Sequence, residues 1–451
     1  MKCLKRLLRV AAVFLLVNLG LLEWLWPAPA AAHWPLLAAL AAFYLYFHIR
    51  PRRAPGASRR LRVMIGGYEL LAVSFWAIFA QTALYVALLC APALPTDPGA
   101  PRWLLLAADT LLFLPLVGAL LLNGFVRVAL TSQHLRIVWR VLLVCLWWAP
   151  VFNIYLFWRV LRTVRSEYYF ESARMDAEAA HAENEDCKTR YPIVLVHGIF
   201  FRDWQLLGYW GRIPAALQRC GAQIEYGGQQ SALPVAQSGE ELAVRLREIL
   251  RKTGAEKVNI IAHSKGGLDS RWAISKLGLA PHVASLTTIN TPHRGCVFAQ
   301  HLLRVLPQGF VQWVARRYNR LFHALGDTSP DFLGGVRDLT RESCLAFNRQ
   351  VPDAPGVLYQ SVMSTMRRAS SAGFPLNFTW RLVKKYDKEP NDGLVALSSA
   401  GWGNDLGCIS VPGKRGVSHG DMIDLMREDV PGFDVREFYI RLVKDLKARG
   451  L

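Results

Sequence analysis

The chain has 451 residues, 52% of them hydrophobic, with 53 Lys and Arg against 34 Asp and Glu, a net charge of +19 and a mean hydropathy of +0.19. This length invites a two-part reading rather than one domain. The basic excess brings nucleic acid to mind, yet no aromatic–basic module or finger spacing accompanies it, so no nucleic-acid partner is expected. The eight cysteines (Cys3, Cys90, Cys145, Cys187, Cys220, Cys296, Cys344 and Cys408) include no CxxC pair, which argues against a zinc site, and they form no readable disulfide framework.

The apolar excess is concentrated in residues 1–160, in stretches at 10–26, 34–49, 63–94, 103–126 and 141–158. A spanning helix needs about 20 apolar residues, so this region predicts a bundle of about five transmembrane helices. The first stretch also resembles a signal peptide, with a basic start, an apolar run and then Pro27-Ala28-Pro29-Ala30-Ala31-Ala32. A retained helix is expected, because further apolar stretches follow and Glu23-Trp24 interrupts the cleavage region. Arg50, Arg52, Arg53, Arg59, Arg60 and Arg62 place that loop in the cytoplasm under the positive-inside rule. Counting onward, the fifth stretch would deliver the rest of the chain to the exterior of a cell membrane. Arg159, Arg162 and Arg165 oppose that exit, and if the stretch lies in the interface the second domain is cytoplasmic. Glu69 and Asp109 fall inside the apolar stretches near their ends, where a paired structural role is expected.

Residues 161–190 turn polar and acidic and read as a solvated helical linker. From residue 191 short apolar runs (193–196, 258–261, 286–289, 357–362) alternate with helical patterns such as 239–252 and 434–448. This alternation predicts an α/β domain over 191–451, a mostly parallel sheet flanked by helices.

The strongest chemical signal is Val258 to Leu268, an apolar strand running into Ala262-His263-Ser264-Lys265-Gly266 and then a helix. Small residues at 262 and 266 suit a turn too tight for larger side chains, with the Ser264 hydroxyl lifted clear of the sheet as a nucleophile. Upstream, the run 193–196 ends in His197-Gly198-Ile199. There the Ile199 N–H would face a substrate carbonyl, with the Lys265 N–H as second oxyanion donor. A serine needs a base and an acid to orient it. Asp392, in Asn391-Asp392-Gly393, and His419, in Ser418-His419-Gly420-Asp421, complete the order Ser, Asp, His. An Asx turn at Asp392 and an ordinary surface loop at His419 explain the same pattern, and His301, His323, Asp387 and Asp405 are rivals by spacing.

Residues 191–451 resemble the bacterial true lipases of the pseudomonad type, triacylglycerol lipases of the α/β-hydrolase superfamily. The similar stretches are YPIVLVHG at 191–198, AHSKGGL at 262–268, TTINTPHRG at 287–295, LTRESCLAFNRQVPD at 339–353 and NDGLV at 391–395. The resemblance implies an α/β-hydrolase fold, a triad of Ser264, Asp392 and His419, and an oxyanion hole at Ile199 and Lys265. It also implies a calcium site with an acid two residues after the histidine, which Asp421 matches. The other side-chain ligands are missing: Leu425 stands at the amide position and no Asp aligns ahead of Asp392. No cofactor is therefore assigned, and Asp421 is read as holding the histidine loop. Ser398 replaces the family's disulfide cysteine, so that bridge is not carried over. The stretch 298–325 corresponds to the lid, and its amphipathic pattern with Arg304, Arg316, Arg317 and Arg320 suits either a lipid interface or an ordinary covering helix.

The sequence thus predicts a membrane-anchored serine hydrolase acting on lipid acyl esters. An acyltransferase or thioesterase with the same triad is the alternative within enzymes. A catalytically silent lipid- or protein-binding domain is the alternative outside them, and a transporter is disfavoured by the few intramembrane charges.

Overall fold

The computed structural model describes residues 2–21, 30–52, 54–90, 102–135, 137–145, 150–199, 208–230, 232–305, 307–324 and 326–451. Residues 27–29 of the cleavage-like segment, the linker at 91–101, and Leu306 and Leu325 of the lid stretch lie outside them. The chain divides into two compact units, Met1–Asp176 and Ala177–Leu451.

The first unit is helical, with helices at Lys2–Val17, Ala30–Ile49, Arg59–Cys90, Arg102–Thr131 and Ile137–Cys145, and the helix Pro150–Glu183 entering it. Among the described residues two helices are long and apolar enough to cross a membrane, Arg59–Cys90 with 32 residues and Trp103–Thr131 with 29. At about 1.5 Å per residue each exceeds the ~30 Å of a hydrocarbon core. They approach closely where both carry glycine: a Cβ on Gly67 would sit 2.8 Å from the Gly124 carbonyl oxygen. Small residues at such a crossing let two backbones meet. Outward-facing Phe79, Leu111, Leu122 and Leu130 are exposed apolar side chains on this pair.

The expectation of about five spans is not supported: among the described residues only these two helices are long and apolar enough to cross. The first helix has only 16 residues, and the apolar part of the next is confined to Trp34–Ile49. The residues flanking the fifth stretch come together. The Ser132 hydroxyl donates to Glu167 at 2.6 Å, and the amides of Gln133 and His134 donate to the same carboxylate at 3.0 and 3.3 Å. Residues 132–134 and Glu167 therefore meet at one end of the bundle, with Leu135, Leu143, Leu156, Val160 and Val164 in one apolar cluster.

The solvated-linker expectation fails at Glu167 and Glu171, which are buried. Arg60 meets them at 2.6 and 3.5 Å, because a desolvated carboxylate must find a cation or several N–H donors. Asp109 accepts from Gln81 and Tyr85, both at 2.7 Å, and Glu69 pairs with Arg6 and Arg9, both at 2.9 Å.

The second unit is built on a parallel sheet of β1 (Ile193–Val196), β2 (Ile224–Tyr226), β3 (Val258–His263), β4 (Val283–Ile289), β5 (Leu358–Ser364) and β6 (Asn404–Ile409), in the order β2-β1-β3-β4-β5-β6. Side chains alternate across a strand. Ile193, Leu195 and Ile261 thus join one core with Trp210, Leu217 and Tyr439, while Val194, Val196, Ile260 and Ala262 join another with Leu242, Leu246 and Ile274. Burial on both faces is why β1 and β3 read as unbroken apolar runs. The helix Val235–Thr253 stops at Gly254, whose φ of +68° closes its last turn. The lid stretch holds two helices, Val297–Val305 and Gln308–Ala324. The second buries Val311, Ala315 and Phe322 and exposes Phe310, Trp313 and Leu321 beside Arg316, Arg317 and Arg320.

Candidate active site

Strand β3 ends at His263, and the next residue, Ser264, has a φ of +54°. Such a conformation in a non-glycine residue costs about 1–3 kcal/mol and persists only where its surroundings impose it. The helix Gly266–Lys276 starts at once, and the Ser264 amide is spent on the Ile289 carbonyl at 2.9 Å. A Cβ on Gly266 would collide with the His197 carbonyl oxygen, and one on Gly267 with the Thr291 hydroxyl. A Cβ on Gly198 would lie 2.8 Å from the Ser264 Cβ. The His197-Gly198-Ile199 loop is thus pressed against the elbow, and the glycines are there because nothing larger fits.

The Ile199 and Lys265 amides donate to no other described residue. The Tyr209 hydroxyl accepts from the Gly198 amide at 3.0 Å and meets His263 Nδ1 at 2.7 Å, tying the loop to the elbow. Both ring nitrogens of buried His197 face carbonyl oxygens, those of Gly198 at 2.9 Å and Gln229 at 2.8 Å. The Lys265 side chain turns inward, where its ammonium donates to the Ser238 hydroxyl at 2.8 Å and to Asp269 at 2.7 Å. Burial pushes the Asp269 carboxyl up to about 6, against the opposing pull of Lys265. Desolvation, with the charge of His419 adding to it, holds the buried His263 imidazole well below its ordinary value.

Asp392 and His419 come together although 27 residues separate them. His419 Nδ1 lies 2.6 Å from Asp392 Oδ2, and the His419 amide donates to the Asp392 carbonyl at 2.9 Å. The other carboxylate oxygen of Asp392 accepts from the Leu394 and Val395 amides, both at 2.8 Å. One oxygen of Asp392 closes the Asx turn and the other meets the imidazole, so the turn does not exclude the pairing with His419. The His419 ring packs on His263, centroids 4.4 Å apart, which sets it beside the residue preceding Ser264. Ser264, His419 and Asp392 are all buried.

The rivals sit elsewhere. His301 contacts Tyr386, His323 is exposed, Asp387 lies next to Glu389, and Asp405 accepts from the Gly407 amide in β6. Asp421 accepts from the Ser418 amide at 2.9 Å and pairs with Arg415 at 3.1 Å, and Leu425 offers no side-chain oxygen. These residues do not fit a calcium ion; they brace the histidine loop. Sequence reasoning missed Tyr209, the inward Lys265–Asp269–Ser238 cluster and the packing of His263 on His419. Only the i,i+4 spacing of Lys265 and Asp269 offered a signal.

This is the arrangement of an α/β-hydrolase: a parallel sheet, a strained serine between strand and helix, and a histidine–aspartate pair from loops beyond the later strands. The family described as "Putative serine esterase (DUF676)" matches residues 193–332. A triacylglycerol lipase of Vibrio cholerae is 35% identical over 256 residues, covering 51% of this chain and 80% of the relative. One from Burkholderia plantarii is 38% identical over 189 residues, covering 39% of this chain and 52% of the relative. The chain belongs to the α/β-hydrolase lipase family that these proteins represent. It spans about half the length of the Burkholderia relative and of a similar one from Pseudarthrobacter phenanthrenivorans, 52% and 55%. Among solved structures, mature Bacillus licheniformis lipase BlEst2 is 21% identical with a TM-score of 0.42, covering 56% of this chain and 91% of that one.

Proposed function

We propose that the chain is a membrane-anchored carboxylic ester hydrolase that cleaves lipid acyl esters at Ser264. The Ser264 oxygen attacks the ester carbonyl while His419 takes its proton, and Asp392 orients the imidazole. The tetrahedral oxyanion is received by the Ile199 and Lys265 amides. His419 returns its proton to the departing alcohol, and water then repeats the sequence to release the acid. The observation that carries this reading is the His419–Asp392 hydrogen bond beside a serine held at positive φ. Relatives named triacylglycerol lipase favour acyl esters as substrates, and exposed Phe310 and Trp313 on the lid-region helix suit an apolar phase.

The test is hydrolysis of p-nitrophenyl esters from acetate to palmitate by the wild type and Ser264→Ala. We expect a preference for the longer acyl chains and a loss on the order of 10⁴-fold or more in the variant. Equal rates in the two proteins would sink the assignment. Products formed with added alcohol separate hydrolysis from acyl transfer.

The membrane reading rests on the helices Arg59–Cys90 and Trp103–Thr131. For its orientation we favour the second domain on the cytoplasmic side, in place of the exterior that counting five spans predicts. Glu167 meets Arg60 at the end where Arg127 meets the His48 carbonyl, so the chain departs from the arginine-rich end. That end faces the cytoplasm under the positive-inside rule.

A further inference from the structure

The helical unit carries a cavity of about 1130 Å³ that the hydrolase chemistry does not use. Its polar end brings together Lys5, Arg6 and Arg9 of the first helix, Arg50 and Arg52 after the second, and Arg165, three segments distant in sequence. The single carboxylate among its described lining residues is buried Glu69, which binds Arg6 through two hydrogen bonds, Arg9 through one at 2.9 Å, and lies 3.9 Å from Arg52. One carboxylate thus gathers three guanidinium groups while neutralising only one positive charge. The other end of the same cavity is apolar, lined by Val10, Trp76, Phe79 and Ala80, with Trp76 and Phe79 on the outward face of the helix Arg59–Cys90. Pockets for small ligands run about 300–1,000 Å³, so this volume is far more than an inorganic anion fills.

From this combination we infer that the cavity is a binding site for an anionic phospholipid, its phosphate among the arginines and the upper part of one acyl chain along Trp76 and Phe79. Guanidinium groups hold phosphate oxygens through paired, charge-assisted hydrogen bonds. A cationic cluster bordered by an apolar wall selects a molecule that is anionic at one end and hydrocarbon at the other. The site lies at the arginine-rich end of the bundle, the end that meets the anionic leaflet when the helices are embedded. The inference rests on the reading that this unit lies in a membrane.

Membrane residence is checked first: resistance of the full-length chain to alkaline carbonate extraction is independent of lipid type, and its failure removes the membrane reading itself. The full-length protein in non-ionic detergent is then titrated with phosphatidylglycerol or phosphatidylcholine and followed by native mass spectrometry. One phosphatidylglycerol is expected to bind in preference to phosphatidylcholine. Arg50→Gln combined with Arg165→Gln spares the Glu69 cluster, so short-chain ester hydrolysis is retained as a check on folding. At about fivefold per basic group near a lipid headgroup, the preference should fall by roughly twenty-five-fold. Equal binding of the two lipids, an unchanged preference in the double variant, or full displacement of the lipid by millimolar inorganic phosphate would each overturn the assignment, the last pointing to a free-phosphate site.

Discussion

His419 and Asp392 share a 2.6 Å hydrogen bond, and the carboxylate oxygen left over from it is fixed by the amides of Leu394 and Val395. The acid is therefore positioned by its own loop before it positions the histidine. Asp392→Asn preserves the side chain's shape and its oxygen for those amides but presents an amide group to the imidazole, favouring the wrong tautomer. We expect kcat to fall on the order of 10³–10⁴-fold with little change in KM. Steady-state kinetics on a soluble ester check this, and a loss below tenfold would remove Asp392 from the relay.

The positive φ of Ser264 separates two variants that are equally inactive. Ser264→Gly relieves the left-handed backbone, whereas Ser264→Ala retains it. The glycine variant should be the more stable by about 1 kcal/mol, or a melting temperature about 2–4 °C higher. Thermal unfolding of both proteins in the same detergent gives the comparison, and the reverse order would mean the turn is not strained.

The raised Asp269 carboxyl sets a pH dependence opposite in sign to ordinary acid denaturation. With its folded value near 6 and its ordinary value at 3.8, the folded state binds more protons between these limits. The contribution of this group is complete below the lower limit and is lost as pH rises through the upper one. Asp269→Asn keeps an oxygen for Lys265 and removes the titration. The melting temperature of the wild type relative to this variant should fall from pH 4 to pH 6 and then level off. A flat difference would place the carboxyl at its ordinary value.

If the chain departs the membrane on the arginine-rich side, a fluorescent protein fused after Leu451 should fold and fluoresce in the cytoplasm. An alkaline phosphatase fused at the same point should be inactive. Active phosphatase would restore the outward orientation that a simple count of apolar stretches predicts.

What the sequence made legible follows from burial. Strands β1 and β3 lie in the middle of the sheet, and their apolar runs and flanking glycines announce both strands and elbow. The outer strands are different: Ile224–Tyr226 has three residues, and Asn404–Ile409 is largely exposed and polar, so neither stands out from a loop. Asp392 and His419 were identifiable by order, but their pairing depends on a fold that closes a 27-residue gap. In the helical unit, hydropathy registers how apolar a stretch is and not whether the residues flanking it come together. Glu167 looked like part of a solvated linker because its partners, Arg60 and Ser132, are 107 and 35 residues away. Tyr209 belongs to no motif, and its role emerges only where two loops meet.

That tyrosine has a wider consequence. By joining the Gly198 amide to His263, its hydroxyl ties the loop after β1 to the end of β3. If the Ile199 and Lys265 amides receive the oxyanion as proposed, groups tied in this way would lose nothing to rearrangement when charge builds up on the substrate. If the chain takes acyl esters as proposed, adaptation to groups of different bulk falls to residues outside this tied pair of loops.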